Sequence, residues 1–276
     1  MSKRSASCIG AVTCAAALAL SGASARAASL PTLDIAISGT HAITVSGSMV
    51  SGAVSVVGTV SGGAIHSSNG ASYGIVRLDP GVTIQQAAGA VQSHRGDLNA
   101  LTAYGSLLVS AAAPSTVQTT LTPGDYVAIN DSGSGQPGFA PFTVTQSAAP
   151  AVLPKPDDTQ TAIEFGFRGP SVLHDGTMVR AVNGGWLVHM ITLVGVRNAA
   201  AGHKVMSLLR AGRDRPAFRL TNRRFVSLLN PASPGAMQQQ VLHAKPGYYV
   251  EACFMDTIDG REHTRLGMER LVKVVR

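Results

Sequence analysis

Short apolar runs, separated by glycine, serine and asparagine, set the strongest limit on what this chain can form. Runs such as AVSVVGTV, YGIVRL, SLLVSA and WLVHMITLVGV are rich in β-branched residues. Their length and spacing are typical of β-strands and favour antiparallel sandwiches over an alternating α/β sheet. Helical turns are predicted at DPGVTIQQAAGAVQSH and AAAGHKVMSLLRAG, and the second segment has Val205, Leu208 and Leu209 at helical intervals. We therefore predict an all-β fold with short helical turns.

Two segments of the chain can be aligned with each other. LTPGDYVAINDSGSGQPGFAPFTVTQ (121–146) can be laid over AKPGYYVEACFMDTIDGREHTRLGMERLVKV (244–274), which places Asn130 opposite Cys253. In each segment a Pro-Gly pair predicts a turn, a tyrosine-containing strand follows, and a last strand comes after a loop. The alignment indicates a duplication, so we predict two tandem Greek-key β-sandwiches.

A proline-rich stretch separates the two predicted sandwiches. AAPAVLPKPDDT (148–159) contains three prolines and few large apolar residues, a composition that resists both helix and sheet. We interpret residues 148–159 as a linker between a domain over 28–147 and a domain over 160–276. Each is of ordinary domain size.

The first 27 residues have the composition of an export signal. Lys3 and Arg4 precede the small, apolar run CIGAVTCAAALALSG, and Ala25-Arg26-Ala27 supplies an A-x-A cleavage site. No later apolar run approaches the roughly 18 residues of a membrane-spanning helix. We expect an exported protein, periplasmic or extracellular, without a transmembrane segment.

Charge is distributed unevenly along the chain. Residues 28–150 carry two basic and five acidic side chains, whereas residues 151–276 carry 17 basic and 10 acidic ones. Six arginines fall in RAGRDRPAFRLTNRR (210–224). This segment is either a solvated surface or a site that attracts a polyanion or an acidic protein. Aromatic residues are not interleaved through it as single-stranded nucleic acid requires, so no nucleic-acid partner is expected.

Removal of the signal would leave Cys253 as the single cysteine. It would then be a buried thiol, an intermolecular crosslink or a metal ligand. His263 and Met268 follow it on the loop into the last strand. A thiolate, an imidazole and a thioether form the ligand mixture that suits copper in a trigonal site with a weak axial methionine.

Such a site needs a second imidazole from another strand. His189 in WLVHMITLVGV is the best candidate, because it shares one face of a predicted strand with Ile191 and Leu193. His203 and His243 lie beside predicted turns and are expected at the surface. His203 is the substitute should His189 point the other way.

The order of these residues resembles the cupredoxins, the blue-copper fold. A strand-borne histidine, His189, precedes Cys253 at the end of the penultimate strand, and His263 and Met268 lie on the following loop. The segment HTRLGM is similar to the His-x4-Met of plastocyanin-like proteins. The resemblance covers residues 160–275 and, more faintly, 29–147. It implies one copper ion held by these four residues, and one-electron transfer.

Two features qualify the resemblance. Nine residues separate Cys253 from His263, a longer loop than in small electron-transfer cupredoxins but close to that of copper proteins resembling nitrite reductases. The first half has Asn130 at the cysteine position and neither histidine nor methionine in DSGSGQPGFAPF, so it is expected to be metal-free. His66 is the residue there that echoes His189.

These observations leave three functions open. The first is copper binding with one-electron transfer to or from a redox protein. The second, copper delivery or storage, uses the same ligands. The third is a metal-free tandem sandwich that serves as a structural or interaction module with a cell-envelope partner. No sequence motif indicates a substrate pocket, so a binding or electron-transfer protein is expected in preference to an enzyme.

Overall fold

The computed structural model describes residues 29–39, 42–61, 70–132 and 137–276. The predicted export signal and His66 lie outside these residues. Within them the chain forms seventeen strands, three α-helices and two short 3-10 helices. The strands of the first half are β1 (Thr32–Ser38), β2 (Ala42–Gly47), β3 (Gly52–Ser61), β4 (Ala71–Leu78), β5 (Gly105–Ala113), β6 (Ser115–Leu121), β7 (Gly124–Asn130) and β8 (Gly138–Val144).

The second half continues the numbering. Its strands are β9 (Asp158–Ile163), β10 (Gly166–Arg168), β11 (Val172–His174), β12 (Met178–Asn183), β13 (His189–Val196), β14 (Thr221–Ala232), β15 (Met237–Val241), β16 (Gly247–Ala252) and β17 (Glu269–Val275). The helices are α1 (Ile84–Ser93), α2 (Ala199–Arg210) and α3 (Asp214–Arg219), and the 3-10 helices cover Leu98–Ala103 and His263–Leu266.

The strands form two sandwiches that share one sheet. The shared sheet has the order β10-β9-β12-β15-β6-β3-β1-β2, and its halves are joined where β15 pairs with β6 at Gln239 and Gln118. In the first sandwich, strands β6, β3 and β1 pack against the four-stranded sheet β5-β4-β7-β8. In the second, β9 and β12 pack against the five-stranded sheet β11-β17-β16-β13-β14. The predicted all-β class with two tandem cupredoxin-like sandwiches is confirmed.

The two sandwiches repeat the same strand pairings. The parallel pair β1–β3 corresponds to the parallel pair β9–β12, and the antiparallel series β4–β7–β8 corresponds to β13–β16–β17. Helices follow β4 in the first sandwich and β13 in the second. The aligned sequence segments therefore occupy equivalent positions in the fold.

Alternating buried and partly exposed side chains show which face of a strand is turned toward the core. In β1, Leu33, Ile35 and Ile37 are fully buried while the residues between them are partly exposed. A period of two is the pattern of a strand with one face toward the core. Burying each such side chain contributes roughly 1.5–3 kcal/mol. The five-stranded sheet differs, because α2 and α3 cover its outer face, so that β13 is buried along both faces except at Met190.

The helices form where the sequence supplies caps. Thr83 and Gln86 form a reciprocal capping box at the start of α1, and Asn198 accepts a hydrogen bond from the Ala201 N–H at the start of α2. Both predicted helical segments are confirmed. Helices α2 and α3 pack on the outer face of the five-stranded sheet, where Val205 and Ala217 join a buried cluster. Among the described residues, every helix is too short or too polar to cross a membrane.

Candidate metal centre

The side chains of His189, Cys253 and His263 converge at one end of the second sandwich, and all three are fully buried. The two histidine Nδ1 atoms are 3.1 Å apart, and the Cys253 Sγ lies 3.3 Å from the Nδ1 of His263 and 3.7 Å from that of His189. Nitrogen and sulfur donors bound to one metal ion at about 2.0 and about 2.3 Å are separated by roughly 3–4 Å. The three donors therefore have the spacing of ligands to a single ion.

Sheet register produces this convergence. Strands β13 and β16 are antiparallel neighbours, and Thr192 pairs with Ala252. The beginning of β13, where His189 lies, therefore meets the end of β16, which Cys253 follows directly. His263 opens the 3-10 helix on the next loop, and its N–H donates to the Met255 carbonyl over 2.8 Å.

Glu164 fixes the orientation of His189. Its Oε1 lies 3.0 Å from His189 Nε2 and accepts hydrogen bonds from the N–H groups of Trp186 and Leu187. Burial opposes ionisation of Glu164, but the bonds from Leu187, His189 and Trp186 together hold its pKa below the ordinary value. An ionised carboxylate can only accept, so we assign the proton of neutral His189 to Nε2. The Nδ1 lone pair then points toward Cys253, as a metal ligand requires.

The thiol of Cys253 is buried and has two backbone hydrogen bonds. The Met190 N–H points at Sγ from 3.3 Å, and the backbone of Met255 supplies the second. Burial raises the pKa of Cys253 to about 12, and these hydrogen bonds offset only part of the effect. In the absence of a metal the residue is therefore a protonated thiol at neutral pH. A bound cation would reverse that preference, because metal-bound cysteine is a thiolate.

His263 is held neutral by its surroundings. Burial and the neighbouring His189 lower its pKa to about 4. The ring of Phe165 contacts it edge to face, with ring centroids 5.0 Å apart. Burial also lowers the pKa of His189, against the opposing effect of Glu164. Both imidazoles are therefore in the form that binds metal near neutral pH.

The backbone connects Met268 to these residues. The Met268 N–H donates to the His263 carbonyl over 3.1 Å, and the Cys253 N–H donates to the Met268 carbonyl over 3.3 Å. The Met268 side chain is fully buried in the same apolar cluster as Cys253. The structure thus brings His189, Cys253 and His263 together as donors and packs Met268 in the core beside them.

The first sandwich contacts this region through Asn99, on the 3-10 helix Leu98–Ala103. Its Oδ1 accepts the Val188 N–H over 2.7 Å, and its Nδ2 donates to the Asp256 carbonyl over 3.0 Å. Val188 precedes His189, and Asp256 lies on the loop between Cys253 and His263. One buried side chain of the first sandwich therefore joins the two segments that carry the candidate ligands.

Replacement of Asn99 by alanine is expected to destabilise the protein by about 1–3 kcal/mol. The change leaves the buried Val188 N–H unpaired and removes one hydrogen bond to the Asp256 carbonyl, and an unpaired buried group carries that cost. Amide hydrogen exchange at Val188 should become faster. Gln85→Ala, which removes an exposed side-chain amide from α1 of the same sandwich, is the matched control. Unchanged exchange at Val188 in the Asn99 variant would contradict this role.

The other residues considered as ligands have different surroundings. His203 and His243 are exposed, as predicted. Asn130 uses its side chain within the first sandwich, where Nδ2 donates to the Ala42 carbonyl and Oδ1 accepts the Ser132 N–H. The strand register places Ala71 at the position equivalent to His189.

A cavity of about 700 Å³ lies in the first half, between α1 and the outer face of the four-stranded sheet. Ile84, Ala88 and Val127 are among its apolar lining residues. None of the described residues that line it is a predicted ligand. The cavity and the His-Cys-His cluster are therefore separate features of the fold.

Sequence reasoning did not identify Glu164 or Asn99. Glu164 stands alone as a charged residue in the apolar run AIEFGF, at the end of β9, and an isolated carboxylate in such a run signals a buried partner. Asn99 gave no comparable signal, because asparagine is common in turns. Its importance depends on a contact with Val188, which is 89 positions away.

No family model matches the chain, and no curated protein matches it. The chain is similar to solved structures at low sequence identity. An auracyanin from Roseiflexus castenholzii is 16% identical over 43% of this chain and 95% of its own, with a TM-score of 0.27. A copper-containing nitrite reductase from Thermus scotoductus SA-01 is 13% identical over 89% of this chain and 68% of its own, with a TM-score of 0.25. A multicopper oxidase is 12% identical over 88% of both chains, with a TM-score of 0.24.

The strand pairings of the described residues give the chain a tandem cupredoxin-like fold, with a buried His-Cys-His cluster at one end of its second sandwich.

Proposed function

We propose that the protein is an exported copper protein that transfers single electrons. His189, Cys253 and His263 would bind one copper ion in the second sandwich, with Met268 as a weak axial ligand. The observation that carries the proposal is the mutual approach of two Nδ1 atoms and one Sγ in a fully buried site. Bound copper would supply the change of oxidation state.

The donor set favours copper over other common metals. A thiolate is a soft ligand, and imidazole suits copper as well as zinc. Structural zinc sites are tetrahedral, with four strong protein donors. The cluster described here has three strong donors, and the fourth predicted ligand is a thioether. This combination is typical of copper sites that carry electrons.

The protein around the site supports electron transfer over catalysis. All three donors are fully buried, which leaves the site closed to a substrate molecule. Glu164 orients His189, the Met190 N–H contacts the Cys253 sulfur, and the backbone connects His263 to Met268. Ligands held this firmly move little when the metal changes oxidation state, which favours rapid electron exchange.

The export signal, the domain bounds and the role of the first domain are part of the same proposal. Residues 1–27 would direct export to the periplasm or beyond. The domains would span 28–147 and 160–276, with 148–159 as linker. The first domain would serve as a metal-free partner that holds the ligand-bearing segments through Asn99.

Copper titration followed by voltammetry tests this function. We expect one equivalent to bind and one reversible one-electron wave. Met268→Leu should keep the stoichiometry and shift the potential, because the axial ligand tunes it. Met178→Leu, on β12, is the matched control. Stoichiometric binding without a reversible wave would overturn electron transfer and favour delivery or storage. Failure to bind copper by the folded protein would favour the metal-free module.

Copper(I) affinity is expected to rise about tenfold per pH unit between roughly pH 7 and 9. In this range the histidines are already neutral, since their pKa values are lowered, while the Cys253 thiol is protonated because its pKa is raised to about 12. Binding therefore displaces one proton. Competition with a chelator across this range measures the slope. A slope near zero would exclude the thiol as a ligand, and a slope near two would mean that a second protonated group must ionise.

A further inference from the structure

We infer that the second sandwich docks an acidic redox protein on the surface formed by α3, the start of β14 and the neighbouring Arg265. This inference rests on the proposed copper function. We call the area the arginine-phenylalanine surface. Its exposed members are Arg213, Arg215, Phe218, Arg219, Leu220, Arg223, Phe225 and Arg265.

The centre of this surface is apolar. Phe218 is 38% exposed, Leu220 is 41% exposed and Phe225 is 53% exposed. The rings of Phe218 and Phe225 lie side by side, with centroids 6.3 Å apart. Single exposed apolar residues are ordinary on soluble proteins, but a contiguous group with a polar rim is typical of an interaction site.

The rim is positively charged. Arg215 and Arg219 are four residues apart on α3 and share one side of the helix. The Arg265 guanidinium lies against Gly212. A β-carbon at position 212 would come within 3.1 Å of Arg265 Nε. Arg210 is paired with Glu269 and adds little.

Few acidic side chains offset this rim. Asp214 is the one acidic residue in 210–224. It lies near Glu262, a partly buried carboxyl that Asp256 also approaches and that accepts a hydrogen bond from Thr264. The five exposed arginines of the surface outnumber these three acids, so the surface has a net positive charge and complements an acidic partner.

An aromatic contact connects this surface to the donor cluster. Phe218 packs against Phe254, with ring centroids 5.7 Å apart, and Phe254 directly follows Cys253 in the chain. The histidine donors are fully buried and do not face solvent. A partner on this surface would therefore be connected to the thiolate through Phe218, Phe254 and one peptide linkage.

The composition fits a protein better than a nucleic acid. Arginine and aromatic residues are enriched at protein interfaces, which combine an apolar core with a polar rim. Single-stranded nucleic acid instead needs separate aromatic platforms for successive bases. Here the phenylalanine rings pack on one another, so they offer one continuous apolar area. An acidic protein would also be steered by the arginines, which raises association rates by roughly 10–1,000-fold.

The reaction on docking would be a single electron transfer. One electron would pass from the reduced acidic protein, which would be oxidised by one equivalent, to the copper that His189, Cys253 and His263 would hold. No bond is formed and no proton is required. The same surface would serve the reverse direction with an acceptor of the same charge.

Two electron carriers of opposite charge, one acidic and one basic, test the inference. Reduced plant-type ferredoxin serves as the acidic donor and ferrocytochrome c as the basic donor, mixed in stopped flow with the copper(II)-loaded full chain. The charge-reversed variant is Arg213→Glu/Arg215→Glu/Arg219→Glu. Lys155→Glu/Arg168→Glu/Arg276→Glu is the control with the same change in charge at exposed positions elsewhere. Unfolding curves check that each variant is folded, and Arg215→Glu alone is the milder alternative.

We expect the rate with ferredoxin to fall at least about tenfold in the charge-reversed variant and to change less than about twofold in the control. Reduction by ferrocytochrome c should not slow. Phe254→Leu should slow reduction by ferredoxin without altering its binding affinity. Equal rates in the charge-reversed variant and the parent protein would overturn the inference.

The affinity of oxidised ferredoxin for the protein, measured with and without copper, tests docking independently of the proposed copper function. Binding that weakens at least about tenfold in the charge-reversed variant supports the surface, even if copper is not bound and the proposed function fails. Rate loss in Trp186→Ala alone would place docking at the metal end of the sandwich and contradict the inference. Tighter binding to single-stranded DNA than to ferredoxin would also overturn it.

Discussion

Cys253→Ser is expected to abolish the intense visible absorption of the copper-loaded protein and to weaken copper(I) binding by more than about 100-fold. Loss of a single residue that only supports a ligand already costs roughly 10–100-fold in metal affinity. Cys253 is itself a proposed ligand and supplies the one soft anionic donor of the cluster. A serine hydroxyl is a poor ligand for copper at neutral pH.

The fold should survive this substitution. Serine is smaller than cysteine, and its hydroxyl can still accept the Met190 N–H. We expect a loss of unfolding free energy of about 1–3 kcal/mol, the cost of placing a hydroxyl in an apolar site. Near-ultraviolet circular dichroism and urea unfolding check this point. His203→Ala and His243→Ala remove exposed histidines and should retain full absorption. Retention of the band in Cys253→Ser would contradict the ligand assignment.

Arg270→Met is expected to cost about 3–5 kcal/mol of unfolding free energy. Glu251 is fully buried on β16 and pairs directly with Arg270 on β17. Arg270 also donates to the carbonyl of Gly169 and to the side chain of Gln160. Removal of one member of a buried ion pair leaves an uncompensated charge, which accounts for the size of the effect.

The loss of unfolding free energy in Arg270→Met should increase as the pH rises. Burial raises the pKa of Glu251 to about 7 even with Arg270 present. A carboxyl whose folded pKa is raised stabilises the protein at low pH, where it is protonated, and loses that contribution as pH rises through the folded value. Urea unfolding of Arg270→Met should therefore show a larger deficit at pH 8 than at pH 5.

A double variant serves as the control for this prediction. Arg270→Met/Glu251→Leu removes both charges and should recover most of the lost stability, because apolar residues of similar volume often replace buried ion pairs without cost. A deficit as large in the double variant as in the single one would show that packing, and not the unpaired charge, causes the loss.

Local sequence patterns predicted many of the strands, two helical segments and the order of the candidate ligands. Short β-branched or alternating runs predicted β3, β4, β5 and β13, and helical spacing predicted α2, because these patterns depend on neighbours along the chain. The positions of His189, Cys253 and His263 also followed from strand order. Once the two strands pair in antiparallel fashion, the start of β13 must meet the end of β16.

Features that depend on distant contacts were not predictable from these patterns. The shared sheet rests on the pairing of Gln239 with Gln118, and the bridge from the first sandwich to the ligand-bearing segments rests on Asn99. Each is a polar residue whose buried role is set by a partner about a hundred positions away. The orienting role of Glu164 likewise appears only when the loop before β13 folds back over it.

We propose that one copper ion is bound by two imidazoles and one thiolate. X-ray absorption spectroscopy of the protein loaded with one equivalent of copper measures those ligands directly. We predict one short copper–sulfur distance and two copper–nitrogen distances, with the short sulfur contribution lost in Cys253→Ser. A first coordination shell of oxygen and nitrogen alone, unchanged in that variant, would contradict the account.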